Sequence, residues 1–130
     1  MNEGVEVRPS PCHGTGLFAR RAFRTGEEVY RVAKGKVVHR AEIAGLTALE
    51  RCHLDRIGED AFEVIEPPGC DINHSCEPNL EERDRAGIAL RNLAAGEEIT
   101  LDYDRIAFLE SRFPCRCGSR VCRGTVRGRE

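Results

Sequence analysis

The chain has 130 residues, 40% of them hydrophobic and 32% charged, with 20 basic against 22 acidic side chains and a formal charge of −2. That is the composition of one globular domain, and it excludes a disordered tail or a strong polyelectrolyte. No run approaches the roughly 20 apolar residues of a membrane span, and Met1-Asn2-Glu3-Gly4 lacks the basic-then-apolar start of a signal peptide, so the expected location is intracellular, cytoplasmic in a bacterium.

Residues 5–32 carry short apolar patches broken by Pro9, Pro11, Gly14, Gly16 and Gly26, which predicts short strands joined by turns. One strand starts at Leu17-Phe18-Ala19, a second covers residues 28–32, and a third covers residues 36–38. From residue 39 to 54, Ile43, Leu46, Leu49 and Leu54 recur at near-helical intervals among good helix formers, predicting one helix with Gly45 as its weak point. Residues 61–65 alternate like a strand that Pro67-Pro68-Gly69 ends. Ile88-Ala89-Leu90 and Ile99-Thr100-Leu101 read as two more strands, separated by a turn at Ala94-Ala95-Gly96. The tail from Pro114 onward is rich in Cys, Arg and Gly and too poor in large apolar residues to bury a core of its own, so it needs a staple, for which metal is the obvious candidate.

The seven cysteines are many for a reducing compartment, where clustered thiols more often bind metal or do chemistry than form disulfides. Cys115, Cys117 and Cys122 lie within eight positions, and tetrahedral zinc wants a fourth ligand from elsewhere. Cys12, Cys52, Cys70 and Cys76 are the available thiols. His13-Gly14-Thr15-Gly16-Leu17 places two glycines before a strand, a backbone that a ligand can approach closely or simply a tight turn; it lacks the third glycine and the context of a dinucleotide fingerprint. Asn73-His74-Ser75-Cys76-Glu77-Pro78-Asn79 is a dense polar run, readable as a hydrogen-bonded turn or as a ligand site. Tyr103 follows Gly96-Glu97-Glu98-Ile99-Thr100-Leu101-Asp102, and a tyrosine at a strand end serves packing as readily as chemistry. The acidic middle, residues 59–84, and the arginine-rich tail are either solvated faces or docking surfaces.

Taken together and in this order, these four segments resemble the SET-domain protein lysine methyltransferases. Gly14-Thr15-Gly16-Leu17-Phe18-Ala19 resembles the N-terminal glycine motif, residues 73–79 its Asn-His-Ser-Cys-x-Pro-Asn motif, residues 96–103 its Gly-Glu-Glu-Ile-Thr-x-Asp-Tyr motif, and Cys115-x-Cys117 to Cys122 its post-SET cysteines. The resemblance implies a mostly β fold of several small sheets with a knot-like crossing and one or two short helices. Its implied division is a SET domain over residues 1–108 and a zinc-bound post-SET tail over residues 109–130, forming one compact unit. The implied activity is S-adenosylmethionine-dependent methylation of a lysine on a basic protein; the alternative is a catalytically impaired, zinc-stapled protein-binding module.

By the same resemblance His13, Gly14, Thr15, Gly16, Leu17, Asn73, His74 and Tyr103 border the cofactor, Tyr103 is the catalytic residue, and Cys76 joins Cys115, Cys117 and Cys122 as zinc ligand. No membrane partner is expected, nor direct nucleic-acid binding at near-neutral charge. Three departures stand out. Cys70-Asp71 replaces the family's usual Arg-Phe pair, Leu101 stands where many members carry Phe or Tyr, and the insert over residues 34–68 is short, as in minimal, stand-alone members.

Overall fold

In the computed structural model, which describes residues 3–10, 14–52, 54–66, 68–106 and 113–127, the apolar patches of the N-terminal third become strands β1 (Val5–Pro9), β2 (Thr15–Ala19) and β3 (Glu28–Arg31). Strand β2 is apolar in succession rather than in alternation because it is central, with Leu17 facing Val7 of β1 on one side and Ile99 of β10 (Glu98–Leu101) on the other. Strand β10 pairs on its far side, in parallel, with the two-residue β7 (Asn73–His74), giving the order β1-β2-β10-β7. A second sheet pairs β3 with β9 (Ala86–Ala89) and β9 with β8 (Leu80–Arg83). A third holds β4 (Val37–His39), β6 (Ala61–Val64) and β5 (Leu54–Arg56) in that order, and the tail forms a two-stranded ribbon of β11 (Phe113–Pro114) and β12 (Thr125–Val126). The mostly β expectation therefore holds.

The main core gathers between the first two sheets, where Leu17, Tyr30, Ile72, Leu80 and Ile99 are each at most 2% exposed. A smaller cluster of Val38, Leu46, Phe62 and Val64 lies under the third sheet. The two C-terminal strands foreseen around residues 88–90 and 99–101 go to different sheets. The turn between them closes at Glu97, whose N–H donates to the Ala94 carbonyl at 3.2 Å, with Gly96 at φ +89.

The helix expected over residues 39–54 forms as two short pieces, the first ending at its expected weak point, Gly45. A 3₁₀ helix spans Arg40–Gly45, α1 spans Ala48–Cys52, and Leu54 starts a strand. Two start signals compete in this stretch. His39 accepts from the Ala41 N–H at 3.2 Å while Glu42 caps the His39 N–H, and eight residues on Thr47 accepts from the Glu50 N–H at 3.1 Å while Glu50 caps Thr47. Each capping box begins a helix of its own, and the chain between them has no reason to continue the first. No helix among the described residues is long and apolar enough to cross a membrane.

Candidate active site and metal centre

The polar run of residues 73–79 is placed by its own side chains against β10. Buried Asn79 ties the far end of the run to the backbone of β10. Its Oδ1 accepts from the Thr100 N–H at 2.9 Å, and its Nδ2 donates to the Glu98 carbonyl at 2.8 Å. At the other end of the run the Asn73 amide donates to the Thr15 carbonyl at 2.8 Å and to Glu98 Oε2 at 2.9 Å. Glu98 also accepts from the Ser10 hydroxyl at 2.9 Å. Gly16 makes this arrangement possible, since a Cβ there would lie 2.4 Å from Glu98 Oε2 and 3.0 Å from Asn73 Nδ2. Both amide hydrogens of Asn73 are thus committed to protein acceptors.

Tyr103 opens the short helix α2 (Tyr103–Ile106) directly after β10 and Asp102. Its hydroxyl donates to the carbonyl of Ile72, the residue before β7. Burial, with the nearby Cys70 and Asp71 as further causes, pushes the phenol up from 10.0 to about 12, so near neutrality it is a donor and not a base. Its backbone N–H donates to Nδ1 of the buried His74 at 3.0 Å, and the two rings meet edge to face at 5.5 Å. The Cys70 thiol lies 3.7 Å from Asp71 and is pushed up to about 11 by burial and by that carboxylate. A thiol so raised stays protonated near neutrality, and Cys70 takes no part in the four-cysteine cluster.

The sulfurs of Cys76, Cys115, Cys117 and Cys122 lie within 4.8 Å of one another, with Cys76 and Cys115 at 3.7 Å. A tetrahedral zinc with bonds of about 2.3 Å has sulfur–sulfur edges of about 3.8 Å, so the donor set fits that ion in type, number and spacing. Burial pushes the Cys115 thiol up to about 12. For Cys117 burial is outweighed by backbone N–H donors and neighbouring thiols, which bring it down to about 6. Around the cluster the tail is fastened by charge. Arg123 donates to Oδ1 of buried Asp102 at 2.6 Å and lies 3.3 Å from Asp104, and the Arg127 N–H reaches Asp104 at 2.8 Å.

Of the residues singled out in the sequence, Asn73, His74, Tyr103 and the backbone of Thr15 and Gly16 are brought together here, and the four cysteines lie on the adjoining side of His74. The strand expected from Leu17 begins two residues earlier, so Thr15 and Gly16 belong to it and not to a turn, and Leu17 is 1% exposed with its side chain in the core. His13 and Cys12 lie outside the described residues, as does the side chain of Cys52. Glu98, Asp102 and Arg123, to which the sequence assigned no role, hold the others in place, and the available signal was the pair of motif carboxylates flanking Ile99-Thr100-Leu101 beside an arginine-rich tail. The acidic middle is not wholly a solvated face either, because Glu63 is 3% exposed and paired with Arg85.

A mostly β chain of small sheets, with an Asn-His-Ser-Cys segment threaded beside a tyrosine-bearing strand end and a four-thiol cluster next to both, defines a narrow class of protein. The SET-domain family profile matches residues 14–104, and the chain belongs to the SET-domain family. It is 33% identical to histone-lysine N-methyltransferase 2B of Homo sapiens over 93% of this chain and 5% of that protein. It is 43% identical to an H3 lysine-4 specific histone-lysine N-methyltransferase of Neurospora crassa (92% of this chain, 10% of the relative), and 40% to histone-lysine N-methyltransferase TRX1 of Oryza sativa (90% and 13%). The chain spans only a small part of the length of these relatives.

Proposed function

We propose that the chain is an S-adenosylmethionine-dependent protein-lysine N-methyltransferase acting on a basic protein, with the histones named for its relatives as the substrate class. The observation that carries this reading is the Tyr103 hydroxyl. It is partly buried, protonated and fixed on the Ile72 carbonyl, beside the paired backbones of residues 73–74 and 100–101. In this reading the backbone of residues 13–17, Asn73 Oδ1 and the His74 main chain border the cofactor. Cys76, Cys115, Cys117 and Cys122 hold a structural zinc, and residues 1–108 and 109–130 are the SET domain and post-SET tail of one unit.

The cofactor supplies a methyl group activated on a cationic sulfonium. The chain's part is to align the acceptor amine and to exclude water, and orientation of this kind supplies several kcal/mol of a barrier. A lysine with a reference pKa near 10.4 must also lose its proton, at about 4 kcal/mol near pH 7.4, and an apolar channel lowers that cost. The Tyr103 hydroxyl, a fixed donor and lone-pair bearer, orients the amine and does not take its proton.

The test is calorimetric titration of the zinc-loaded chain with S-adenosylmethionine, followed by transfer of labelled methyl to core histones. The unsubstituted protein should bind and transfer, and Tyr103→Phe should bind yet transfer at least about 100-fold more slowly. Absence of binding by folded, metal-loaded protein overturns the cofactor assignment. Binding without transfer to any basic protein supports the impaired binding module, the reading that Cys70-Asp71 beside Tyr103 favours.

A further inference from the structure

His74 stands between the two halves of the site, and each ring nitrogen faces one of them. Nδ1 lies 3.0 Å from the Tyr103 backbone N–H, which can only donate, so Nδ1 must present a lone pair. A neutral imidazole unprotonated at Nδ1 carries its hydrogen on Nε2, and Nε2 lies 3.4 Å from Cys76 Sγ. That sulfur already receives the Arg123 backbone N–H at 3.3 Å. Asp102 does not compete for the ring. Its Oδ1 is 3.8 Å from Nδ1, beyond hydrogen-bond reach, and accepts instead from Arg123 at 2.6 Å and from the Asp104 N–H at 3.0 Å. The ring is 5% exposed, so water does not substitute for either partner.

We infer that His74 is a positioning residue that couples the four-cysteine centre to Tyr103, its Nε2–H donating to the Cys76 sulfur while its Nδ1 holds the Tyr103 backbone. The inference rests on the zinc assignment for the cysteines and on the role proposed for Tyr103, but it concerns a side chain to which neither reading gives a task. Its physical content is directional. An N–H donor on a metal-bound thiolate draws charge from the sulfur and fixes the ring plane, and the ring plane fixes where the Tyr103 N–H, and with it the start of α2, can lie. The arrangement also explains why a histidine occupies a buried position beside a thiol cluster without being counted among the ligands.

Two measurements on the full chain decide it. In the unsubstituted zinc-loaded protein, long-range proton–nitrogen spectra of the imidazoles, with His74 assigned through its contacts to the Tyr103 ring, should show hydrogen on Nε2 and none on Nδ1. A ring protonated on Nδ1, alone or together with Nε2, overturns the inference, and this test needs no variant. The second measurement replaces zinc by cobalt(II) and compares the unsubstituted protein with His74→Phe. The thiolate-to-cobalt absorption should move to lower energy in the variant, and exchange of the Tyr103 amide hydrogen should quicken at least tenfold against that of Ile99. An unchanged band together with unchanged exchange overturns the inference while leaving the metal reading standing. Absence of any thiolate–cobalt absorption in the unsubstituted protein removes the metal reading and the inference with it.

Discussion

A methyl group added at residue 16 meets Glu98 Oε2 and Asn73 Nδ2, whereas one added at residue 14 meets nothing within 4 Å. Gly16→Ala should therefore push the Glu98 carboxylate off Asn73, cost about 1 kcal/mol of stability in chemical denaturation, and weaken S-adenosylmethionine binding. Gly14→Ala should leave stability unchanged, which separates the steric requirement at residue 16 from the glycine pattern of the segment. The two tyrosines give a prediction in pH. Burial raises both phenols, Tyr103 to about 12, so the native state holds these protons more tightly than the unfolded chain, whose tyrosines ionise near 10. The stabilisation is complete below pH 10 and is lost as pH rises through about 12. Absorbance should show no tyrosinate up to about pH 11 in folded protein, and stability should fall from pH 10 upward.

At the scale of elements, the β8–β9 hairpin turns through Asp84 and Arg85 at φ +50 and +66, a conformation that ordinarily calls for Asn or Gly. Arg85 is kept there by its guanidinium, which makes two bonds of 2.8 Å to Glu63 on β6 and so ties the second sheet to the third. The same pair holds the Glu63 carboxyl below its usual range. Arg85→Ala should destabilise by about 2–3 kcal/mol, because Glu63 is left buried without its partner. Arg85→Gly should recover about 1 kcal/mol of that loss by relieving the backbone. Equal stabilities for the two variants in urea denaturation would refute the backbone half of this account.

The hairpin also marks the limit of what the sequence disclosed. Strands with four or five apolar or alternating residues, such as β2, β6 and β10, were legible from pattern. Two-residue strands such as β7, β11 and β12 carry no period, and the capping boxes at His39 and Thr47 divided a stretch whose apolar spacing alone reads as continuous. Motif likeness located Asn73, His74, Tyr103 and the cysteines. It named Glu98 and Asp102 as motif members without a task and passed over Arg123 within the basic tail, because holding other residues in place leaves no pattern that spacing alone can show.

For the whole molecule, the proposed zinc reading makes the tail depend on metal as well as on the ion pairs of Arg123 with Asp102 and Asp104. Chelation should release the β11–β12 ribbon, seen as loss of amide protection there, while β1, β2 and β10 keep theirs, because Val5, Leu17 and Ile99 are buried in the main core, to which the ribbon contributes no residue. Metal uptake should also release protons and tighten as pH rises. Every ligand must be deprotonated, and the Cys115 thiol, raised by burial, releases its proton to solvent as the ion takes its place. Competition with a coloured chelator between pH 6 and 8 measures this, and an affinity independent of pH would refute it.

The pairing of β2 with β10 carries a consequence for biosynthesis. Ser10 and Glu98 meet across 88 positions of chain, and Arg123 reaches Cys76 across 47. On a ribosome the early strand must therefore wait, one edge unsatisfied, until β10 has emerged. Residues 5–19 are thus the segment that a chaperone would have to shelter, and translation arrested before residue 98 should yield a protease-sensitive nascent chain and no partly working domain.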